Sequence, residues 1–187
     1  NGSPHRRMNA RLHHVAKSGR FRRMRMQSIE LFAGAGGLGL GISTAGFSHR
    51  LVVERDHDAC TTIRTNFGED SEHAHHWPLY EGDVRQFDFA ALDGKVDLVS
   101  GGPPCQPFSI GGKGRGFKDR RDMFPEAARI VRLVRPRAFI FENVKGLLRQ
   151  SFAKYFQYIL LQLTHPEIHP RPDEDWAAHL TRLEEHH

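Results

Sequence analysis

One thiol is placed where it could act on a substrate. Cys105 lies in Gly101-Gly102-Pro103-Pro104-Cys105-Gln106-Pro107-Phe108-Ser109, after Val96 to Ser100, a run that reads as a buried strand. Two glycines free the backbone upstream and two prolines stiffen it, so the loop holds its sulfur at a fixed position. An ordinary free cysteine is a small buried hydrophobe. That reading suits Cys60, inside a predicted helix, and suits Cys105 poorly. A second group of residues could hold a ligand. Phe32-Ala33-Gly34-Ala35-Gly36-Gly37 follows one strand and opens a helix, and glycines there let the backbone turn tightly and pass close to a bound molecule. A doubly wound sheet takes a nucleotide-like cofactor at that turn, and Glu54, the acid ending the second strand, is placed for ribose hydroxyls. Asp83, after Gly82, is placed to meet an adenine amino group with Val84 beside the ring; a simple turn residue is the alternative reading of Asp83.

These residues must be positioned by alternating strands and helices. From Ser28 onward, short apolar runs alternate with amphipathic segments, the pattern of an α/β fold with a mostly parallel sheet. Strands are expected over Ser28 to Phe32 and Arg50 to Glu54. The runs Val96 to Ser100 and Ala138 to Glu142 are continuous enough for strands buried on both faces. Helices are expected from the glycine turn to about Ala45, over Asp58 to Phe67 with Asp58 near the cap, and over Met123 to Val134. Phe152 to Leu163 has helical spacing, and Trp176, Leu180 and Leu183 repeat it weakly in a charged stretch beyond Pro166, Pro170 and Pro172.

The chain of 187 residues suffices for one domain with tails. Its net charge of +5 is uneven. Eight basic residues precede Ile29 without one acid, and removing them from 27 Lys+Arg leaves 19 against 22 Asp+Glu, a body near −3. Residues 1 to 27 therefore form a basic, disordered arm by composition: either a leader or misplaced start, or a phosphate-binding arm. The two cysteines lack Cys-x-x-Cys spacing, and no apolar run is long enough to span a bilayer, so a soluble chain of the cytoplasm is expected and no membrane partner. His73, His75 and His76 lack cysteine or acid partners at ligand spacing, and no metal is expected.

Phe-x-Gly-x-Gly-Gly, then Pro-Pro-Cys-Gln-Pro-Phe-Ser, then Glu142-Asn143-Val144, in this order, resembles the DNA cytosine-5 methyltransferase family over about Ser28 to Leu163. The resemblance implies a Rossmann-like fold binding S-adenosylmethionine, with Phe32, Gly34, Gly36, Gly37, Glu54, Asp83, Val84 and Pro103 around the cofactor. It casts Cys105 as nucleophile, Glu142 as its catalytic partner, and Gln106, Ser109, Arg120 and Asn143 as residues of the substrate loop and its surroundings. Cytosine C5 is too weakly nucleophilic to take a methyl group until a thiolate adds to C6. An acid of raised pKa such as Glu142 would serve the ring at N3. The implied partner is double-stranded DNA with the cytosine flipped out. Asp119-Arg120-Arg121 and Phe124 match the segment after the nucleophile loop, where Arg120 or Arg121 would touch phosphate or order that loop; a solvated charge run is the plain alternative. Ser109 to Phe117 resembles the mobile loop that closes over the base, or is a flexible linker.

The family continues with an arginine motif, a target-recognition domain and a final helix beside the cofactor, for which this sequence shows no counterpart. A truncated or split enzyme is therefore expected, completed by a C-terminal half or second subunit, with Ala138 to Phe141 left as an apolar edge. Two other readings stand beside it. One is the related transfer-RNA cytosine methyltransferase, which Ser109 in place of Thr disfavours; the other is a non-catalytic module binding cofactor or nucleic acid.

Overall fold

A computed structural model of the chain describes residues 25–69, 76–104 and 122–187. Five parallel strands, β1 (Gln27–Leu31), β2 (Ser48–Glu54), β3 (Leu79–Glu81), β4 (Leu98–Gly101) and β5 (Ala138–Phe141), pair in the order β3-β2-β1-β4-β5. This is a Rossmann-like sheet whose order reverses between β1 and β4, the place where open α/β sheets bind ligands at the strands' carboxyl ends. Helices α1 (Gly37–Thr44), α2 (His57–Phe67), α3 (Phe124–Val134), α4 (Ala153–Thr164) and α5 (Trp176–His186) complete the chain.

Strand alternation divides the core. Ile29, Leu31, Leu51, Val53 and Val99 meet Ile130, Val131 and Val134 of α3 on one side of the sheet. Val52, Ile63, Phe67 and Trp77 pack on the α1–α2 side. That second side also carries a buried polar seam. Ser28 Oγ lies 3.0 Å from His49 Nδ1, and His49 Nε2 lies 2.9 Å from the Gly39 carbonyl. A carbonyl only accepts, so Nε2 carries the proton and Nδ1 accepts from Ser28. In the same layer Ser100 donates to the Glu30 carboxyl, and Glu30 is buried in β1. Burial pushes that carboxyl up to about 7, against the lowering effect of the Ser100 hydrogen bond.

A third cluster joins α3, α4 and α5 through Phe124, Tyr155, Ile159, Leu180 and Leu183. The weak repeat around Trp176 is thus a helix folded back on α4. The buried Tyr158 hydroxyl lies 2.9 Å from His179 Nδ1, while His179 Nε2 lies 3.0 Å from the Ile168 carbonyl.

Two expectations are corrected and one strand is added. Asp58 stands in the first turn of α2, whereas the cap is Asp56, whose carboxylate accepts the Ala59 N–H at 2.9 Å. Only a cap two residues earlier reaches that unpaired donor. The segment Leu79–Glu81 forms a parallel strand beyond β2 that the sequence pattern does not announce. Finally, β5 is not buried on both faces: Phe139 is 39% and Ile140 48% exposed, because β5 lies at the sheet edge. No helix among the described residues is long and apolar enough to cross a membrane.

Candidate functional site

The first strand ends in an unusual turn. Phe32 adopts φ 54°, a left-handed conformation disfavoured for a bulky residue, and Gly34 and Gly36 follow at φ 53° and 91°. The chain thereby reverses and begins α1 with Gly36 as its N-cap. A side chain at Gly36 would also meet the Trp77 ring at 2.9 Å. Its glycine requirement therefore has a packing cause within the described residues, as well as the ligand approach expected from sequence.

The turn opens a cleft of about 130 Å³ at the strands' carboxyl ends, with Phe32, Gly34, Glu54, Asp83, Val84 and Pro104 in its walls. Glu54 is held in place by backbone donors: Gly34 N–H reaches one carboxylate oxygen at 2.7 Å, and the N–H groups of Arg55 and Asp56 reach the other at 2.7 and 2.8 Å. A carboxylate offers about four acceptor sites, so roughly one remains for a ligand hydroxyl. Asp83 accepts the Arg85 N–H at 3.0 Å as the cap of a short 3₁₀ turn and also pairs with the Arg85 guanidinium. The Arg85 side-chain hydrogen bonds, foremost among the causes, hold the Asp83 carboxyl down at about 2. Asp83 is thus an anionic wall of the cleft and a turn residue at once. Val84, buried beside it, adds an apolar surface.

Of the other sequence-singled cofactor residues, Gly36, Gly37 and Pro103 are not among those lining this cleft. Arg55, Val53, Gly82, Gly102 and Met123 line it without having been singled out for it. Arg55 is the only cation in that set, and its position directly after Glu54 was the one available signal.

The opposite flank carries the loop expected to hold the nucleophile. Gly101, at the end of β4, stands so close to β1 that a Cβ would fall 2.3 Å from the Leu31 carbonyl oxygen. Pro104 lies on the cleft wall, and its carbonyl accepts the Met123 N–H at 3.2 Å, closing the base of the segment between them. Cys105, Gln106, Ser109 and Arg120 lie outside the described residues, as do residues 1–24 of the arm and the Ser109–Phe117 stretch. From β5 the chain enters the same region. Glu142 N–H bonds the Gly101 carbonyl at 3.0 Å, and a Glu142 carboxylate oxygen lies 3.6 Å from where a Gly102 Cβ would stand. Asn143 Nδ2 donates to the Pro103 carbonyl at 2.7 Å, while its own oxygen accepts the Val144 N–H at 2.9 Å. Glu142 and Asn143 thus reach the stem of the proline loop from the neighbouring strand. Cys60, by contrast, is fully buried in α2, with burial pushing its thiol up.

Residues 26–167 match the model of the C-5 cytosine-specific DNA methylase family. The chain belongs to this family. Among curated relatives, it is 45% identical over 139 residues to the type II methyltransferase M.NgoMIV of Neisseria gonorrhoeae, covering 74% of this chain and 42% of that protein. It is 44% identical over 133 residues to M.PspPI of Psychrobacter, covering 71% of this chain and 30% of that protein. In three dimensions it resembles an Escherichia coli prophage protein described as a DNA modification methyltransferase, with TM-score 0.58 and 28% identity over 74% of this chain and 38% of the other. The chain therefore spans less than half the length of these relatives. Among the described residues, Phe32 to Gly37 form the cleft turn, Pro103 and Pro104 the stem of the proline loop, and Glu142-Asn143-Val144 the segment leaving β5.

Proposed function

We propose that this chain is the cofactor-binding and nucleophile-bearing portion of an enzyme that methylates C5 of cytosine in double-stranded DNA, using S-adenosylmethionine. The observation that carries this reading is the convergence on one cleft: the glycine turn and Glu54 form one wall, and Pro104, directly before Cys105, stands on the other. The cleft's mix of a preset carboxylate with the apolar Phe32, Val53 and Val84 fits an amphiphilic nucleoside. Glu54 would accept from ribose hydroxyls, Asp83 from an adenine amino group, and Val84 would face the ring, with Gly34, Gly36, Gly37 and Pro103 shaping the backbone around them. The bound cofactor supplies an electrophilic methyl group.

Cys105 would act as thiolate, forming a bond to C6 of a cytosine flipped out of the duplex as the C5–C6 double bond opens. Glu142 would donate a proton or hydrogen bond at N3 as charge develops there, and C5 would then take the methyl group. Loss of the C5 proton and expulsion of the sulfur restore the ring. Asn143 would hold the Pro103 carbonyl and so steady the loop; Gln106, Ser109 and Arg120 would meet the nucleotide or its phosphates.

In this reading residues 1–27 are a basic arm, 28–163 the catalytic portion, and 164–187 a charged helical extension. A further C-terminal portion, on the same or a second polypeptide, would cover the apolar surface at β5, where Leu148 is 68% and Val144 50% exposed. A cytoplasmic location fits this role. Trapping tests the mechanism. Combined with its completing polypeptide and S-adenosylmethionine, the protein should form a stable adduct with a duplex bearing 5-fluorocytosine, because the fluorine cannot leave as a proton does. Cys105→Ala should form none. An adduct of equal yield in that variant, or none with the intact protein, would overturn the mechanism.

A further inference from the structure

Away from the cleft, the carboxyl ends of α4 and α5 meet and bring three potential ligands together. His165 is the C-cap of α4, Glu167 lies in the turn after it, and His186 is the last residue of α5. His165 Nδ1 and His186 Nε2 each stand 3.6 Å from the same Glu167 carboxylate oxygen. All three ligand atoms lie within 4.8 Å of one another. From this geometry we propose that His165, Glu167 and His186 bind one divalent transition-metal ion of the zinc type.

The distances favour an ion over a casual cluster. Zinc bound tetrahedrally by nitrogen and oxygen at about 2.0–2.1 Å sets neighbouring ligand atoms about 3.4 Å apart. Two of the three edges are already within a few tenths of an ångström of that value. The outer support has the correct sense as well. His165 Nε2 lies 3.0 Å from His187 Nδ1. With Nδ1 on a metal, Nε2 carries the proton and donates to His187, the second hydrogen bond that orients a ligating imidazole.

Electrostatics act in the same direction. Both α4 and α5 end here, and the negative ends of their two helix dipoles favour a cation between them. The His165 side chain is 16% exposed and therefore held in place, whereas those of Glu167 and His186 are 61% and 55% exposed and leave the ion an entry path. Two imidazoles and one carboxylate select zinc, nickel or copper over calcium and magnesium, which require oxygen shells. Three protein ligands leave a fourth position for water. The ion would tie the end of α5 to α4, across a helix pair whose cores already share Tyr158 and Leu183. The expectation of no metal came from local spacing, and His165-x-Glu167 acquires its third ligand only when α5 folds back.

Zinc sulfate titration of the full chain tests the site, with cobalt(II) absorption reporting coordination. Other histidines, including those of the arm, can bind zinc weakly, so the readout is the difference from Glu167→Gln and His186→Asn. Both positions are exposed, and an unchanged metal-free thermal midpoint would establish that each variant folds. Each should weaken the tightest zinc site at least tenfold and remove its cobalt d–d bands. Tightest-site affinity within twofold of the parent in both folded variants would overturn the proposal.

Discussion

Replacing Glu30 with glutamine isolates one buried charge. Glu30 is 1% exposed, and its carboxyl is raised from the ordinary 4.5 to about 7 by burial, with the Ser100 hydrogen bond acting in the opposite direction. The folded chain therefore keeps a proton that the unfolded chain releases between those values. Wherever the folded state binds more protons, stability falls as pH rises. This group's penalty is absent well below pH 4.5, grows through the interval and is complete above about 7. At about 1.4 kcal/mol per pH unit, the full effect is about 3 kcal/mol, of which about 2.5 falls between pH 5 and pH 8. Glutamine keeps the shape and the oxygen facing Ser100, and its NH₂ stands where the acid's O–H stood. Urea unfolding followed by the fluorescence of Trp77 and Trp176 should show Glu30→Gln gaining about 2.5 kcal/mol on the parent between pH 5 and pH 8. The buried His179, whose pKa is lowered mainly by burial, gives a trend of opposite sign, but it is common to both proteins and cancels in the difference. A gain below about 0.5 kcal/mol, or a gain that shrinks with pH, would refute the assignment of a protonated carboxyl to the sheet interior.

Gly36→Ala should lower stability in the absence of any cofactor by about 2 kcal/mol, since φ 91° disfavours a side chain and the new methyl would press on Trp77 at 2.9 Å; a urea midpoint equal to the parent's would refute the packing role. Alkylation of the native chain at neutral pH should label one thiol, Cys105, because Cys60 is fully buried with its thiol pushed up; peptide mapping that finds Cys60 modified first would refute this.

The sheet was readable because short apolar runs alternate with amphipathic segments, even though β1 at its centre carries Ser28 and Glu30, and the cleft because Gly34 follows directly on a strand where the chain must turn. What escaped has identifiable causes. The strand Leu79–Glu81 is three residues long and only partly buried, too short for any periodicity. Asp56 and Asp58 offer the same capping chemistry in sequence, and only the path of the chain out of β2 selects between them. The apolar run of β5 reads as buried, but burial depends on what lies beside it in the sheet. Asp83 could be a turn residue or a cleft wall, and the structure makes it both through Arg85. Trp77, in no motif, fills the space beside Gly36 and Gly39, a partnership set by tertiary packing alone.

The hydrogen bond between the Pro104 carbonyl and the Met123 N–H also bears on how freely this protein can change. Because this bond joins the chain after β4 to the start of α3, the scaffold itself brings the two stems together. Closing a loop costs only about 0.6 kcal/mol more for each doubling of its length. Segments of different length and sequence can therefore be exchanged at this junction with little burden on the sheet. Replacing the sequence between these two stems with that of M.NgoMIV should therefore leave the folding of the sheet unchanged.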